Sequence, residues 1–131
     1  MTRWLLALCL LAGPLSAQGL PGPQPFLTLR AGTAEAAFGP TDFLAVDHSE
    51  MAGITDIFLR FLPEAAERVD AMARPGVTIE ICGRPVAHDE PIAGGGIYLP
   101  NRLATEAEAI RALWHGRIEC DALDPELFHG A

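Results

Sequence analysis

Pro63 stands between two hydrophobic patterns that no single element satisfies. On its N-terminal side, Asp56 to Leu62 carries Ile57, Phe58, Leu59 and Phe61, the composition of a buried strand, with Arg60 as the one charged interruption. On its C-terminal side, apolar residues fall at 62, 65, 66, 69, 72 and 73, which is helical spacing with one buried face. Proline suits the first helical turn, where its missing N–H would have had no partner. Glu64 and Glu67 lie near the positive end of the helix dipole, and Pro75-Gly76 stops the helix. A strand that runs straight into a helix requires a mixed architecture.

The stretch from Gly76 to Gly96, GVTIEICGRPVAHDEPIAGGG, reads as further strands. Val77, Ile79 and Ile81 alternate with Thr78, Glu80 and Cys82, a period of two with one buried face. Gly83-Arg84 supplies the turn, and Pro85-Val86-Ala87 returns. The three glycines Gly94, Gly95 and Gly96 lead into Ile97-Tyr98-Leu99, another short strand. Earlier in the chain, Phe26 to Arg30 and Ala36 to Phe38 form a hairpin, and Thr41 or Asp42 caps a short helix. Thr105-Glu-Ala-Glu108 matches a capping box, opening a second helix whose apolar face is Ala109, Ile110, Leu113 and Trp114 and whose end is Gly116. Arg117-Ile118-Glu119 is a last strand candidate. The predicted fold is α+β, with two helices packed on one face of a small, mainly antiparallel sheet.

The ends bound the compartment. Arg3 precedes an apolar run that finishes in Leu15-Ser16-Ala17, so residues 1–17 read as a secretory signal peptide. That run falls short of the about 20 apolar residues that a spanning helix needs, and Pro14 breaks it. Residues 18–25, rich in proline, form an extended linker; 26–120 are one domain, and 121–131 a loosely held tail. The expected product is periplasmic or secreted, without a membrane span after signal removal. Loss of Arg3 takes the formal net charge from −8 to −9, and the chain has no lysine. Such an acidic surface argues against nucleic acid and against anionic membranes. Two cysteines remain after the signal, Cys82 and Cys120. They are either a disulfide, which an oxidising compartment permits, or two separate thiols.

The chemical motifs are weak. A phosphate cradle opens a helix and ends in Lys and Ser or Thr; Gly94 to Gly96 lead into a strand, with no lysine after them. Asp47-His48-Ser49-Glu50 and His88-Asp89-Glu90 hold ligand-type side chains, with Met51 beside the first. Their converging on a metal is the alternative reading, a small periplasmic metal-binding protein using His48, His88 and nearby carboxylates. Adjacent residues on a strand point apart, so polar turns are the default. Ser49 beside His48 lacks the spacing of a triad, and no G-x-S-x-G occurs. Cys82 with His88 imitates a thiol–base pair, but on a strand Cys82 faces away from Ile79 and Ile81. Of the aromatics able to stack on a ligand, Trp114 and Tyr98, Trp114 sits on an apolar helix face and belongs to the core. No catalytic constellation and no cofactor follow from these residues.

The order of motifs resembles the head subdomain of the large periplasmic domain of the SecD protein-export family. Leu59-Arg-Phe-Leu-Pro-Glu-Ala-Ala-Glu-Arg-Val-Asp-Ala-Met-Ala73 is similar to its strand and helix. Thr78-Ile-Glu-Ile-Cys-Gly-Arg-Pro85 and Pro91-Ile-Ala-Gly-Gly95 are similar to the following strand, turn and glycine segment. Glu106-Ala107, Ile110, Leu113 and Gly116 stand for its last helix, and Phe38-Gly-Pro-Thr-Asp-Phe-Leu-Ala45 for the opening segment. The resemblance spans about residues 38–118, with Leu62 in place of a capping Thr and Cys82 in place of a turn acid. It implies a secreted, stand-alone, non-enzymatic protein-binding module, an accessory of protein export. The implied partner is an exported polypeptide or a translocon component, met by the loop holding His88, Asp89, Glu90, Gly94, Gly95 and Gly96.

Overall fold

The computed structural model describes residues 24–86 and 92–128. The signal-peptide segment, residues 18–23 of the linker, and His88, Asp89 and Glu90 lie outside the described residues. In chain order the elements are β1 (Leu27–Ala31), β2 (Ala34–Phe38), β3 (Phe43–Met51), β4 (Ile54–Phe61) and α1 (Pro63–Ala71). They continue with β5 (Thr78–Ile81), β6 (Arg84–Val86), β7 (Ile92–Ala93), β8 (Gly96–Arg102) and α2 (Ala104–Trp114). The fold is α+β with antiparallel strands, shared between two four-stranded sheets in the orders β2-β1-β5-β6 and β3-β4-β8-β7. Helix α2 packs on β3 and β4; α1 packs on β4, β7 and β8 and also reaches β2 of the other sheet.

Local patterns explain the pairing. In the first sheet Leu27 faces Ile81 and Leu29 faces Ile79 across the β1–β5 ladder, and all four are buried. In β4, Thr55, Ile57, Leu59 and Phe61 are buried while Ile54, Phe58 and Arg60 are exposed. This strand therefore has one buried face, with period two, and is not the fully buried run its composition suggested. The short turns Ala52-Gly53, Cys82-Gly83 and Gly94-Gly95 place both residues at positive φ. That backbone twist matches the right-handed twist of hairpin strands. The triple glycine thus turns the β7–β8 hairpin.

A run of phenylalanines joins the sheets. Phe26 stacks on Phe43 at 4.7 Å between ring centroids, Phe43 meets Phe61 at 4.6 Å, and Phe61 meets Phe38 edge-on at 5.3 Å. Phe26 directly precedes β1 and Phe38 ends β2 of the first sheet, while Phe43 and Phe61 belong to the second. From α1, the Arg68 guanidinium lies 4.5 Å from the centre of the Phe38 ring and donates to the Ala37 carbonyl.

Several local expectations are corrected. The short helix near Asp42 is a single 3-10 turn, Pro40–Asp42, closed by the Asp42 carboxylate accepting from the Gly39 N–H at 2.9 Å. Directly after it comes β3, which the sequence hid because its outer half, His48 to Met51, is exposed on both faces and shows no alternation. Helix α2 starts at Ala104, and Glu106, not Glu108, takes the free N–H of Leu103 at 3.0 Å. Residues 117–119 form no strand; a 3-10 turn at Cys120–Ala122 follows.

The segment after Asp121 is docked through Phe128. Leu123 and Phe128 are buried. Arg84 donates to the carbonyls of Asp124, Leu127 and Leu123, and the second Glu106 oxygen accepts from the Phe128 N–H at 2.9 Å. Cys82 lies in the β5–β6 turn rather than on the strand, and it is bonded to Cys120 with the Cα atoms 5.3 Å apart. The disulfide closes a separation of 38 residues.

Two outcomes follow. Reducing the disulfide should lower unfolding free energy by roughly 3–4 kcal/mol in the chain-entropy account, measured by urea titration with and without reductant. Gly95→Ala should cost about 2 kcal/mol more than Gly94→Ala in the same assay. Both glycines have positive φ, but a Cβ at Gly95 would lie 2.9 Å from the Ala66 Cβ, whereas one at Gly94 meets open space.

Candidate functional site: the open face of the second sheet

Among the described residues, helices pack on one face of the β3-β4-β8-β7 sheet and nothing covers the other. Strand alternation sends Asp47, Ser49 and Met51 of β3, and Ile54, Asp56, Phe58 and Arg60 of β4, to that face. Asp47 sits opposite Phe58, and Phe58 opposite Tyr98, so these three side chains form one row across three strands. Phe58 and Tyr98 stack at 4.8 Å with 27° between their planes, yet remain 40% and 37% exposed. A stacked pair left this open presents two aromatic surfaces to whatever covers the sheet.

Polar groups fix the aromatic row at both ends. The Arg60 guanidinium donates to Asp47 Oδ2 through Nη2 at 2.6 Å and Nε at 3.1 Å. Being exposed, this pair holds geometry and adds little stability, about 0–1 kcal/mol. The Tyr98 hydroxyl donates to Asp56 Oδ2 at 3.2 Å, and Asp56 Oδ1 accepts the Asn101 N–H at 3.2 Å. That second bond serves a register shift between Thr55 and Ile57, where β8 carries Asn101 at positive φ. Partial desolvation of the phenol, then the hydrogen bond and charge of Asp56, raise the Tyr98 pKa. Asp47, Phe58, Arg60, Gly94, Gly96 and Tyr98 border a shallow hollow of about 590 Å³.

The residues singled out from sequence fall in different places. Gly94 and Gly96 line the rim of this hollow. Gly95 is buried instead, with its N–H donating to Asp70 Oδ1 of α1 at 2.8 Å, so it positions the turn and presents no contact surface. His88, Asp89 and Glu90 lie outside the described residues. His48 lines a groove beside α2, while its neighbours Asp47 and Ser49 belong to the open face, so His48 and Ser49 do not converge. Among the described residues, no three His, Cys, Asp or Glu side chains cluster as metal ligands. The disulfide removes the Cys82 thiol from any pairing with His88. Trp114 is partly buried against the core, as its helix position implies. Phe58 and Arg60 were missed because β4 reads as a wholly buried run, and Asp47 stood out only as a ligand-type side chain; the signal available was Arg60, which marks an outward position two residues from Phe58.

No protein-family model matches the chain, and neither a curated protein nor a solved structure matches it. Nothing in those comparisons connects it with SecD. Among the described residues no helix is long and apolar enough to cross a membrane.

The Tyr98–Asp56 pair gives a clean test, since Tyr98 is the chain's one tyrosine. Its ultraviolet titration should run above the ordinary phenol midpoint, and Asp56→Asn should move that midpoint down by removing the charge. The sign for stability follows: the neutral phenol is favoured in the folded state, so its contribution is complete below the unfolded midpoint and is lost as pH rises through the folded one.

Proposed function

We propose that this chain is a secreted, non-enzymatic protein-binding module whose recognition surface is the open face of the β3-β4-β8 sheet. One observation carries the reading. Four of the seven large apolar side chains left exposed among the described residues, Met51, Ile54, Phe58 and Tyr98, share this face. Exposed apolar side chains gathered on one surface mark interaction sites more often than scattered ones do. Their polar companions, Asp47 with Arg60 and Asp56 with Tyr98, are already paired, so a partner is not obliged to supply charge. Aromatic anchors with an arginine beside them are the composition that concentrates binding energy in protein interfaces.

Secretion is supported by the leader-like N-terminal sequence and by the Cys82–Cys120 bond, which suits an oxidising compartment. The sequence resemblance to the SecD head favours exported polypeptide as the partner class. An open sheet face that exposes Met51, Ile54, Phe58 and Tyr98 is compatible with that class, because unfolded chains expose apolar side chains.

The test uses the full oxidised protein and a chemically unfolded, cysteine-free secreted polypeptide carrying a fluorophore. Anisotropy should report binding, and Phe58→Ser and Tyr98→Ser should each weaken it by about tenfold while circular dichroism stays unchanged. Absence of binding by the parent protein, or equal affinity in both variants, would sink the reading.

A further inference from the structure

A second surface lies at the edge of the same sheet. Strand β3 is an edge strand of nine residues, without proline or lysine to blunt it. Arg111 of α2 donates to the Val46 carbonyl at 2.7 Å. In an antiparallel pair, alternate residues turn both backbone groups to the same side. The Val46 carbonyl is taken from outside the sheet, so Val46, His48 and Glu50 form the set turned away from β4. Arg111 occupies only the first of these positions, and beyond it the strand edge runs on through His48 to Met51, all exposed.

Beside that edge lies a groove of about 630 Å³ between β3, α2 and the docked C-terminal segment. His48 borders it on the strand side, Ala109 and Ala112 on the helix side, and Ile118, Leu123 and Leu127 on the third side. The small residues on α2 leave width between helix and strand. The charged groups facing the groove are Arg111 and Arg117 against Glu108 and Asp124, with His48 beside them. This balance makes no demand for a charged occupant.

We propose that this groove takes an extended peptide segment of a partner protein, added antiparallel or parallel to the β3 edge. Among the described residues nothing pairs with the outward backbone groups of His48 and Glu50, and they fit an occupant with a free extended backbone, as in strand addition generally. Where the lining is apolar, at Ala109, Ala112, Ile118 and Leu127, it favours apolar side chains on the one face of the occupant that points into the groove, since successive side chains of a strand point to opposite faces. The occupant is therefore an uncharged, β-prone segment with alternating apolar residues. This surface is distinct from the Phe58–Tyr98 face, and the two readings stand or fall separately.

The probe is a library of random octapeptides displayed on phage and selected on the immobilised, disulfide-intact protein. Selection should enrich segments with apolar residues at every second position. Ala112→Trp, which fills the groove, should weaken an enriched peptide by about tenfold or more, while Phe58→Ser should leave its affinity unchanged. Hydrogen exchange on the unaltered protein supplies an independent readout: the peptide should slow exchange of the His48 and Glu50 amides by about tenfold or more. Enrichment no better than on the Ala112→Trp protein overturns the proposal, as do peptides lost with Phe58→Ser alone. So does strong protection of both amides before peptide is added, because the edge is then already covered by the chain itself or by a second copy.

Discussion

Two sheets that share no strand are made into one core by four phenylalanine rings. Phe38 comes from the first sheet and Phe26 from the residue just before its strand β1, Phe43 and Phe61 come from the second, and their centroids follow one another at 4.7, 4.6 and 5.3 Å. Large aromatic side chains bury the most apolar surface per residue, so a few of them supply much of the driving force for docking the sheets. Everything that displays the open face depends on this junction. Phe43 begins β3 and Phe61 ends β4, so the same residues that anchor the second sheet in the core also fix the start of the hairpin that carries Asp47 and Phe58.

Around that junction the structure is closed by long-range ties made with few residues. Arg68 crosses from α1 to the Phe38 ring and to the Ala37 carbonyl. Glu106, only 3% exposed, serves the start of α2 with one oxygen and the C-terminal segment with the other. Arg84 gathers three carbonyls of that segment, and the Cys82–Cys120 bond holds its beginning beside the β5–β6 turn. A buried carboxylate such as Glu106 and a half-buried guanidinium such as Arg84 need their hydrogen bonds filled, and here backbone groups of the terminal segment take part in filling them. The result keeps residues up to Phe128 on the body and shapes one side of the groove beside β3.

The legible parts of the sequence were those in which one element buries one face. The 77–81 alternation, the helix after Pro63 and the triple-glycine turn each carry their own period or breaker, and each occurs as read. The open face of the second sheet was half legible. Tyr98 stood out as an aromatic able to stack, but Phe58 was absorbed into an apolar run, and β3 was not recognised. An exposed aromatic on a sheet looks like a core residue to any pattern based on hydrophobicity, because the sequence records the side chain and not what covers it. The capping role of Glu106 was hidden in another way: its second partner is 22 residues distant.

The sequence by itself determined the strand-to-helix switch at Pro63, the 77–81 strand, the glycine turn before Ile97 and the mixed α+β architecture, because hydrophobic period, proline and glycine act through local backbone geometry. Only the tertiary structure decided that the strands divide into two sheets, that Cys82 and Cys120 meet, that the C-terminal segment docks, and that Phe58 stacks on Tyr98 in the open. The physical reason is common to all four. Each depends on which surfaces are brought together across long separations, and burial is a property of the assembled neighbours, not of the residue that is buried.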